Sequence, residues 1–514
     1  MFGVGYWVSK RARLHPGRAA LVGPDRRWTY RELDERVNRL AHGLANRMGV
    51  GRGDRLAILS LNCPEYVEVL LATARLGAVL VPLNFRLTIP ELSYQLDDSG
   101  ARWLVVGPEQ QALAGELRGS LAACIDLAGE GEGLPASEGF IPYRELLAGE
   151  PGVEENPEGP VDQGPVGFNT PFIICYTSGT TGKPKGAVLT HGNLFWNALN
   201  DIMAIDLTSR DVTLTLLPLF HVGGIGLFTL PTLLAGGTVV LPRRFDPREA
   251  LELIARERVT VVFGVPTIHQ RFLEAPGWAQ ADLSSVRMFY SGGAPCPVEV
   301  IEAFHRRGVP FGQGYGLTET SPTVYMLDRD DFQRKAGSVG KPALFCEARV
   351  VDENGAEVPP GQVGEIVVRG PNVFREYWNL PDATAQSIKD GWFHTGDLGR
   401  QDEEGYVYIV GRIKDMIISG GENIYPLEVE QVLQSHPAVA EVAVFGVPDP
   451  RWGEVPRAAV VLRPGQKVSM EELLAYCEGK LARYKIPKEV VFLTELPRSA
   501  SGKVLKHELA RHFS

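Results

Sequence analysis

Residues 177–186, Thr-Ser-Gly-Thr-Thr-Gly-Lys-Pro-Lys-Gly, concentrate side chains that hold a polyanion. Gly179, Gly182 and Gly186 let backbone N–H groups approach and curl around negative charge. The hydroxyls of Thr177, Ser178, Thr180 and Thr181 add rotatable donors, and Lys183 and Lys185 add cations. An apolar run, Ile173-Ile174-Cys175-Tyr176, leads straight into them and reads as a buried strand. The composition is that of a polyphosphate cradle, and the competing reading is a flexible surface hairpin. It is not a Walker A loop, because the spacing of one glycine, four residues and then Gly-Lys-Ser/Thr is absent.

The loop resembles the signature phosphate loop of the acyl-adenylate-forming (AMP-binding) superfamily, which includes acyl- and aryl-CoA synthetases, peptide-synthetase adenylation domains and beetle luciferases. Six further stretches are similar to that family, in order and across nearly the whole chain. They are Pro218-Leu219-Phe220-His221, Ser291-Gly292-Gly293-Ala294-Pro295 and Gly314-Tyr315-Gly316-Leu317-Thr318-Glu319. Later come Trp392-Phe393-His394-Thr395-Gly396-Asp397, Gly411-Arg412-Ile413-Lys414-Asp415 and Pro497-Arg498-Ser499-Ala500-Ser501-Gly502-Lys503. Each alone is weak; their order gives the resemblance its weight.

The resemblance implies ATP, Mg2+ and coenzyme A as cofactor and co-substrates, and it assigns roles residue by residue. Thr177 and Glu319 are expected to hold the magnesium, the carboxylate as a hard oxygen ligand. Ser178, Gly179, Thr180, Thr181, Gly182 and Lys185 are expected around the phosphates. Thr318 can donate to the α-phosphate. Tyr315, between Gly314 and Gly316, offers a π face to adenine, although alone it reads equally as a core tyrosine beside a bulge. Glu319 alone reads equally as an acid at a helix N-terminus. Gly292, Gly293 and Ala294 follow an expected strand, the edge where ligands bind in open α/β sheets, and leave room for adenine and the acyl head. Asp397 and Arg412 are expected at the ribose. His221, alone more often a core histidine, is expected at the entry to the carboxylate pocket.

Lys503, alone a solvated surface charge, is expected to bridge the carboxylate and the α-phosphate. One anion attacking another is electrostatically opposed, so a positioned cation stabilises the transition state. Lys414 occupies the family's hinge. Gly420 and Gly421 leave space for the pantetheine arm once the small domain has swung.

The reaction expected is therefore that of an acyl-CoA synthetase acting on a medium- or long-chain fatty acid, because the stretch from 412 to 423, with Ile413 inserted, resembles the bacterial enzymes of that class. Aryl-acid (4-coumarate-like) CoA ligases share nearly the same motifs and stay open. So do a stand-alone enzyme loading a carrier protein and a luciferase-like oxidative enzyme. No aspartate stands at an obvious pocket position to bind an α-amino group, which argues against amino-acid substrates. Ile418 and Asn423 stand where some long-chain enzymes carry lysine and tryptophan, so contacts proposed there are not carried over. The chain ends at Ser514 with no carrier domain, and a free-standing enzyme is expected.

The elements that must position these groups alternate. Residues 55–60, 78–83, 103–106, 213–217, 238–241, 260–265 and 288–291 read as strands, with helices over 64–76, 246–257 and 297–307. The fold class expected is α/β: a large N-terminal domain of two βα-layered sheets plus a small β-barrel-like sheet. A small mobile α+β C-terminal domain follows. The boundaries are 1–411, a hinge at 412–415, and 416–514. Residues 128–170, rich in Gly, Pro and Glu, read as a surface connection.

At 514 residues the chain exceeds one compact core. A net charge of −10 spread along it argues against a dedicated nucleic-acid partner. The six cysteines have no metal-ligand spacing, and a reducing cytoplasmic setting is expected. Residues 212–241 carry no formal charge, yet Pro218 and Pro231 with several glycines would interrupt a spanning helix, so no transmembrane segment is expected. Peripheral membrane contact suits a fatty substrate. The oligomeric state is not readable.

Overall fold

The structure is a computed structural model that describes residues 3–117, 119, 121–127, 139–148, 166–177, 183–499 and 503–513. It divides into two units, Met1–Glu347 with Val368–Phe393, and Ala348–Val367 with His394–Ser514. The mixed α/β architecture matches the expectation.

The first unit carries two large sheets. In one, parallel strands Phe311–Gly316, Met288–Ser291, Val261–Gly264, Val212–Thr215, Thr238–Val240 and Ala19–Val22 run side by side. Antiparallel strands close both edges, including Thr323–Met326 beside Phe311–Gly316. In the other, Val79–Pro82, Arg55–Leu59, Trp103–Val106 and Ala123–Asp126 are parallel, and Pro171–Thr177 joins them beside Val79–Pro82. Their apolar runs follow from burial on both faces.

Helix Pro64–Leu76 starts on its proline and is buried on every side, including Glu68 and Arg75. Its spacing predicts only one apolar stripe. The difference arises because charged groups go inside when paired: Arg36 and the Tyr143 hydroxyl both bond the Glu68 carboxylate. The uncharged stretch 212–241 forms a strand, a π-helical turn Gly223–Thr229, helix Leu230–Ala235 and a strand. No helix among the described residues is long and apolar enough to cross a membrane.

In the second unit, a small sheet pairs Val407–Arg412 antiparallel with residues 397–401. A second sheet is built on a long hairpin, Val439–Asp449 with Gly453–Leu462, flanked by Ile417–Ser419 and Glu489–Phe492. Helix Pro426–Gln434 packs Val429 and Leu433 against Val444 and Val460 in its core. All six cysteines of the chain are free and buried.

Candidate functional site

Strand Pro171–Thr177 returns antiparallel as Lys185–Thr190, which sets Thr177 opposite Lys185 with the Thr177 hydroxyl 3.4 Å from the Lys185 carbonyl. Ser178, Gly179, Thr180, Thr181 and Gly182, the tip of the expected cradle, lie outside the described residues. The Lys185 ammonium stands 5.1 Å from the ring centroid of Tyr377. The Tyr377 hydroxyl donates to Glu319 Oε1 at 2.8 Å, and Glu319 is only 8% exposed. Burial first, then the Glu319 charge, drives the Tyr377 phenol well above its ordinary range. Burial first and then the Glu319 charge push the Cys175 thiol up to about 12. Thr177, Lys185, Thr318 and Glu319 are thus brought together. Tyr377 does the joining, and no sequence motif marked it.

Thr318 and Glu319 reach that place because of how strand Phe311–Gly316 ends. It pairs antiparallel with Thr323–Met326, Tyr315 opposite Tyr325 with ring centroids 6.0 Å apart. Between them the chain makes one 3-10 turn, Thr318–Thr320, closed by Leu317 N–H to Pro322 O at 3.0 Å. A Cβ on Gly316 would lie 1.6 Å from that same Pro322 oxygen, so only glycine fits. Gly314 faces Met326 across the pair.

One strand over, Gly292 follows Met288–Ser291 and donates to Gly264 O at 3.3 Å, with the Phe263 ring 3.1 Å from where its Cβ would be. Gly293 and Ala294 are exposed beyond it. These are the carboxyl ends of neighbouring parallel strands, the ligand-binding edge of such sheets. His221 is half-buried, and its Nδ1 accepts from Gly223 N–H at 3.1 Å, which places the neutral ring's proton on Nε2. The π-helical turn follows directly, its Phe228 ring 5.1 Å from Phe263. Gly224 is forced by the backbone, because a Cβ there would sit 2.3 Å from Pro218 O.

The remaining expected residues belong to the second unit. Asp397 and Arg412 are cross-strand partners, with Arg412 Nε donating to Asp397 Oδ1 at 2.5 Å. Asp397 is anchored from behind: its N–H donates to the Thr395 hydroxyl, which donates to Ile366 O at 2.7 Å. Glu365 accepts from Gly396 N–H at 3.0 Å and bonds His394 Nδ1 at 2.7 Å. This leaves a buried carboxylate beside a half-exposed guanidinium, a pair suited to adjacent hydroxyls. Lys414 is exposed in the 3-10 turn Ile413–Asp415. Gly420 and Gly421 form the two-residue turn between Ile417–Ser419 and Glu422–Ile424, with φ of +61° and +87°. Lys503 is exposed, its backbone held by Ser499 N–H to Lys503 O at 2.8 Å.

The AMP-binding enzyme family matches residues 8–378, and the AMP-binding enzyme C-terminal domain matches residues 428–503. The chain is 48% identical to a feruloyl-CoA synthase of Amycolatopsis over 99% of each chain. It is 47% identical to an indoleacetate–CoA ligase of Aromatoleum aromaticum over 98% of this chain and 96% of the relative. It is 38% identical to a long-chain-fatty-acid–CoA ligase of Mycobacterium tuberculosis over 100% and 99%. Among solved structures it is similar to the o-succinylbenzoate coenzyme A synthetase of Bacillus subtilis in complex with ATP and magnesium ion, with a TM-score of 0.85, 37% identity and 98% of each chain covered. With family matches over both parts of the chain and relatives aligned from end to end, this protein belongs to the AMP-binding enzyme family.

Proposed function

We propose that this chain activates an aryl-bearing carboxylate of cinnamate or arylacetate size to its acyl-adenylate and passes the acyl group to coenzyme A. It is an AMP-forming acid–thiol ligase whose substrates are a carboxylic acid, ATP and coenzyme A, with Mg2+ as cofactor. The observation that carries the substrate reading is the end-to-end similarity to the feruloyl-CoA synthase, supported by the indoleacetate relative at nearly the same identity. The aromatic pair of Phe228 and Phe263, tilted at 41° beside Gly292, suits a flat ring. A medium- or long-chain fatty acid is the second reading, favoured by the mycobacterial relative. A cytoplasmic setting accords with either.

In the first half-reaction a carboxylate oxygen attacks the α-phosphorus and pyrophosphate leaves. In the second, the coenzyme A sulfur attacks the acyl carbonyl carbon and AMP leaves. Lys503 supplies positive charge when two anions must meet. His221 orients the acid, and Thr318 donates to the α-phosphate. Gly314, Tyr315 and Gly316 with Gly292, Gly293 and Ala294 take the adenine, and Asp397 with Arg412 takes the ribose. The donor set fits Mg2+: Thr177 and Glu319 offer one hydroxyl and one carboxylate, few hard oxygens as befits an ion that keeps water and phosphate oxygens. When bound, the ion neutralises phosphate charge. Lys414 serves as the hinge between 1–411 and 416–514, and Gly420 with Gly421 serves thiolysis.

The test is a pyrophosphate-release screen over ferulate, indoleacetate and fatty acids of increasing length, with and without coenzyme A. The reading expects ferulate or indoleacetate to exceed every fatty acid by about tenfold or more in kcat/KM. A maximum among the fatty acids would replace it with the second reading. Adenylate accumulating with no thioester when coenzyme A is present would point to a carrier protein instead.

A further inference from the structure

Helix His191–Ala204 turns its polar side inward. Asn193, Asn197, Asn200 and Asp201 are buried, whereas Phe195 and Trp196 are half-exposed and Met203 is 56% exposed. Buried amides persist where they satisfy something that nothing else can. Asn197, fully buried, donates from Nδ2 to Gly226 O at 2.9 Å and to Asp201 Oδ2 at 3.0 Å, and accepts at Oδ1 from Thr323 N–H at 2.8 Å. The Thr323 hydroxyl closes the group on Asp201 Oδ1 at 2.6 Å.

Gly226 belongs to the π-helical turn, and the register there explains why its carbonyl needs a side chain. Leu230 N–H reaches back five residues to Ile225 O. The next donor in that register is residue 231, a proline, which has no N–H. Asn197 provides the missing donor. The same amide holds Thr323, the first residue of the strand returning from the Thr318–Glu319 turn. The two segments touch directly, since a Cβ on Gly226 would lie 2.6 Å from Ser321 O. π turns are rare and recur at functional sites.

We propose that Asn197 is a positioning residue of the adenylation half-reaction. It holds the π register of the wall that follows His221 and fixes that wall against the Thr318–Glu319 turn. This rests on reading residues 221–228 as the wall of the acid site. Asn197→Ala should raise the KM for the acid, with ferulate as probe, by about tenfold or more in pyrophosphate release, and by at least about threefold more than it raises the KM for ATP. Adding Pro231→Ala, which returns an N–H in register, should recover about threefold or more of that loss. A packing role alone would not be rescued this way.

Equal changes in the two KM values, no change, or no recovery would overturn the proposal. If Asn197→Ala does not fold, Asn197→Asp, which keeps the volume and the acceptor for Thr323, is measured for the same split, and equal losses there also overturn it. Wild type failing on ferulate would count against the aryl reading alone. The Asn197 comparison then runs with the best acid of the screen.

Discussion

Glu319 illustrates how one neighbour sets the worth of a side chain. Its Oε1 is held by the Tyr377 hydroxyl, which fixes how the carboxylate is turned. Tyr377→Phe removes that hold, and the Mg2+ concentration for half-maximal pyrophosphate release should rise by about tenfold or more, the scale of one hydrogen bond to a charged group. A titration with the acid saturating checks it, and an unchanged midpoint would separate Tyr377 from the metal. Lys503→Ala should remove acyl-adenylate formation by about 10²-fold or more while thiolysis of supplied acyl-adenylate survives. Stopped-flow on each half-reaction checks it, and equal loss of both would refute the role. Lys503 and Glu319 could be found in the sequence because short ordered motifs mark them. Tyr377 could not, because it sits in a two-residue strand whose partner, Val188 with Ala187, lies nearly 190 residues earlier, and its role exists only through that pairing.

At the level of elements, the turn Gly420-Gly421 must bend through φ values that side chains resist, and the ring of Trp452 already occupies the space beside Gly420. Gly421→Val should therefore slow thiolysis by about tenfold or more with adenylation retained, besides a strain cost of about 1–2 kcal/mol. Pyrophosphate release against thioester formation in one preparation checks it. Seven parallel strands of the two sheets were readable within a residue or two, because strands covered on both faces are written as unbroken apolar runs, whereas Ala19–Val22, Ala123–Asp126 and Phe311–Gly316 were not. In the sequence the hairpin Val439–Asp449 with Gly453–Leu462 shows only two shorter strand-like runs, 441–445 and 458–462. Gly446 pairs with Pro456 at its middle, and a proline argues against a strand unless its missing donor is placed harmlessly. The π turn left no sequence trace beyond Pro231, whose effect depends on an amide from another helix.

Across the whole molecule, stability turns on charges placed where water is absent. Glu68, on helix Pro64–Leu76, accepts from Arg36 at 2.6 and 3.1 Å and from the Tyr143 hydroxyl at 2.6 Å, which joins helices Tyr30–Met48, Pro64–Leu76 and Tyr143–Leu147. Burial outweighs Arg36 and lifts its carboxyl from 4.5 to about 7. A folded-state value above the unfolded one means that the folded chain holds the proton more tightly. The stabilisation is then complete below about pH 4.5 and is lost as pH rises through about 7. Glu68→Gln removes this dependence, so wild-type Tm minus variant Tm should fall between pH 5 and pH 8, by an amount on the order of 3 kcal/mol in stability. Paired thermal melts across that range check it, and a flat difference would show that Glu68 stays ionised throughout.

An acyl-adenylate is a potent acylating agent, and this chain makes one with Cys175 standing two residues before Thr177. Burial holds the Cys175, Cys296 and Cys346 thiols up to about 12. At neutral pH these thiols stay protonated, and the thiolate is the form that attacks. These three buried thiols are thus poor competitors for the activated acid, which is passed to the sulfur of coenzyme A. Intact-mass measurement after incubation with acid and ATP alone should accordingly find no thioester on the protein.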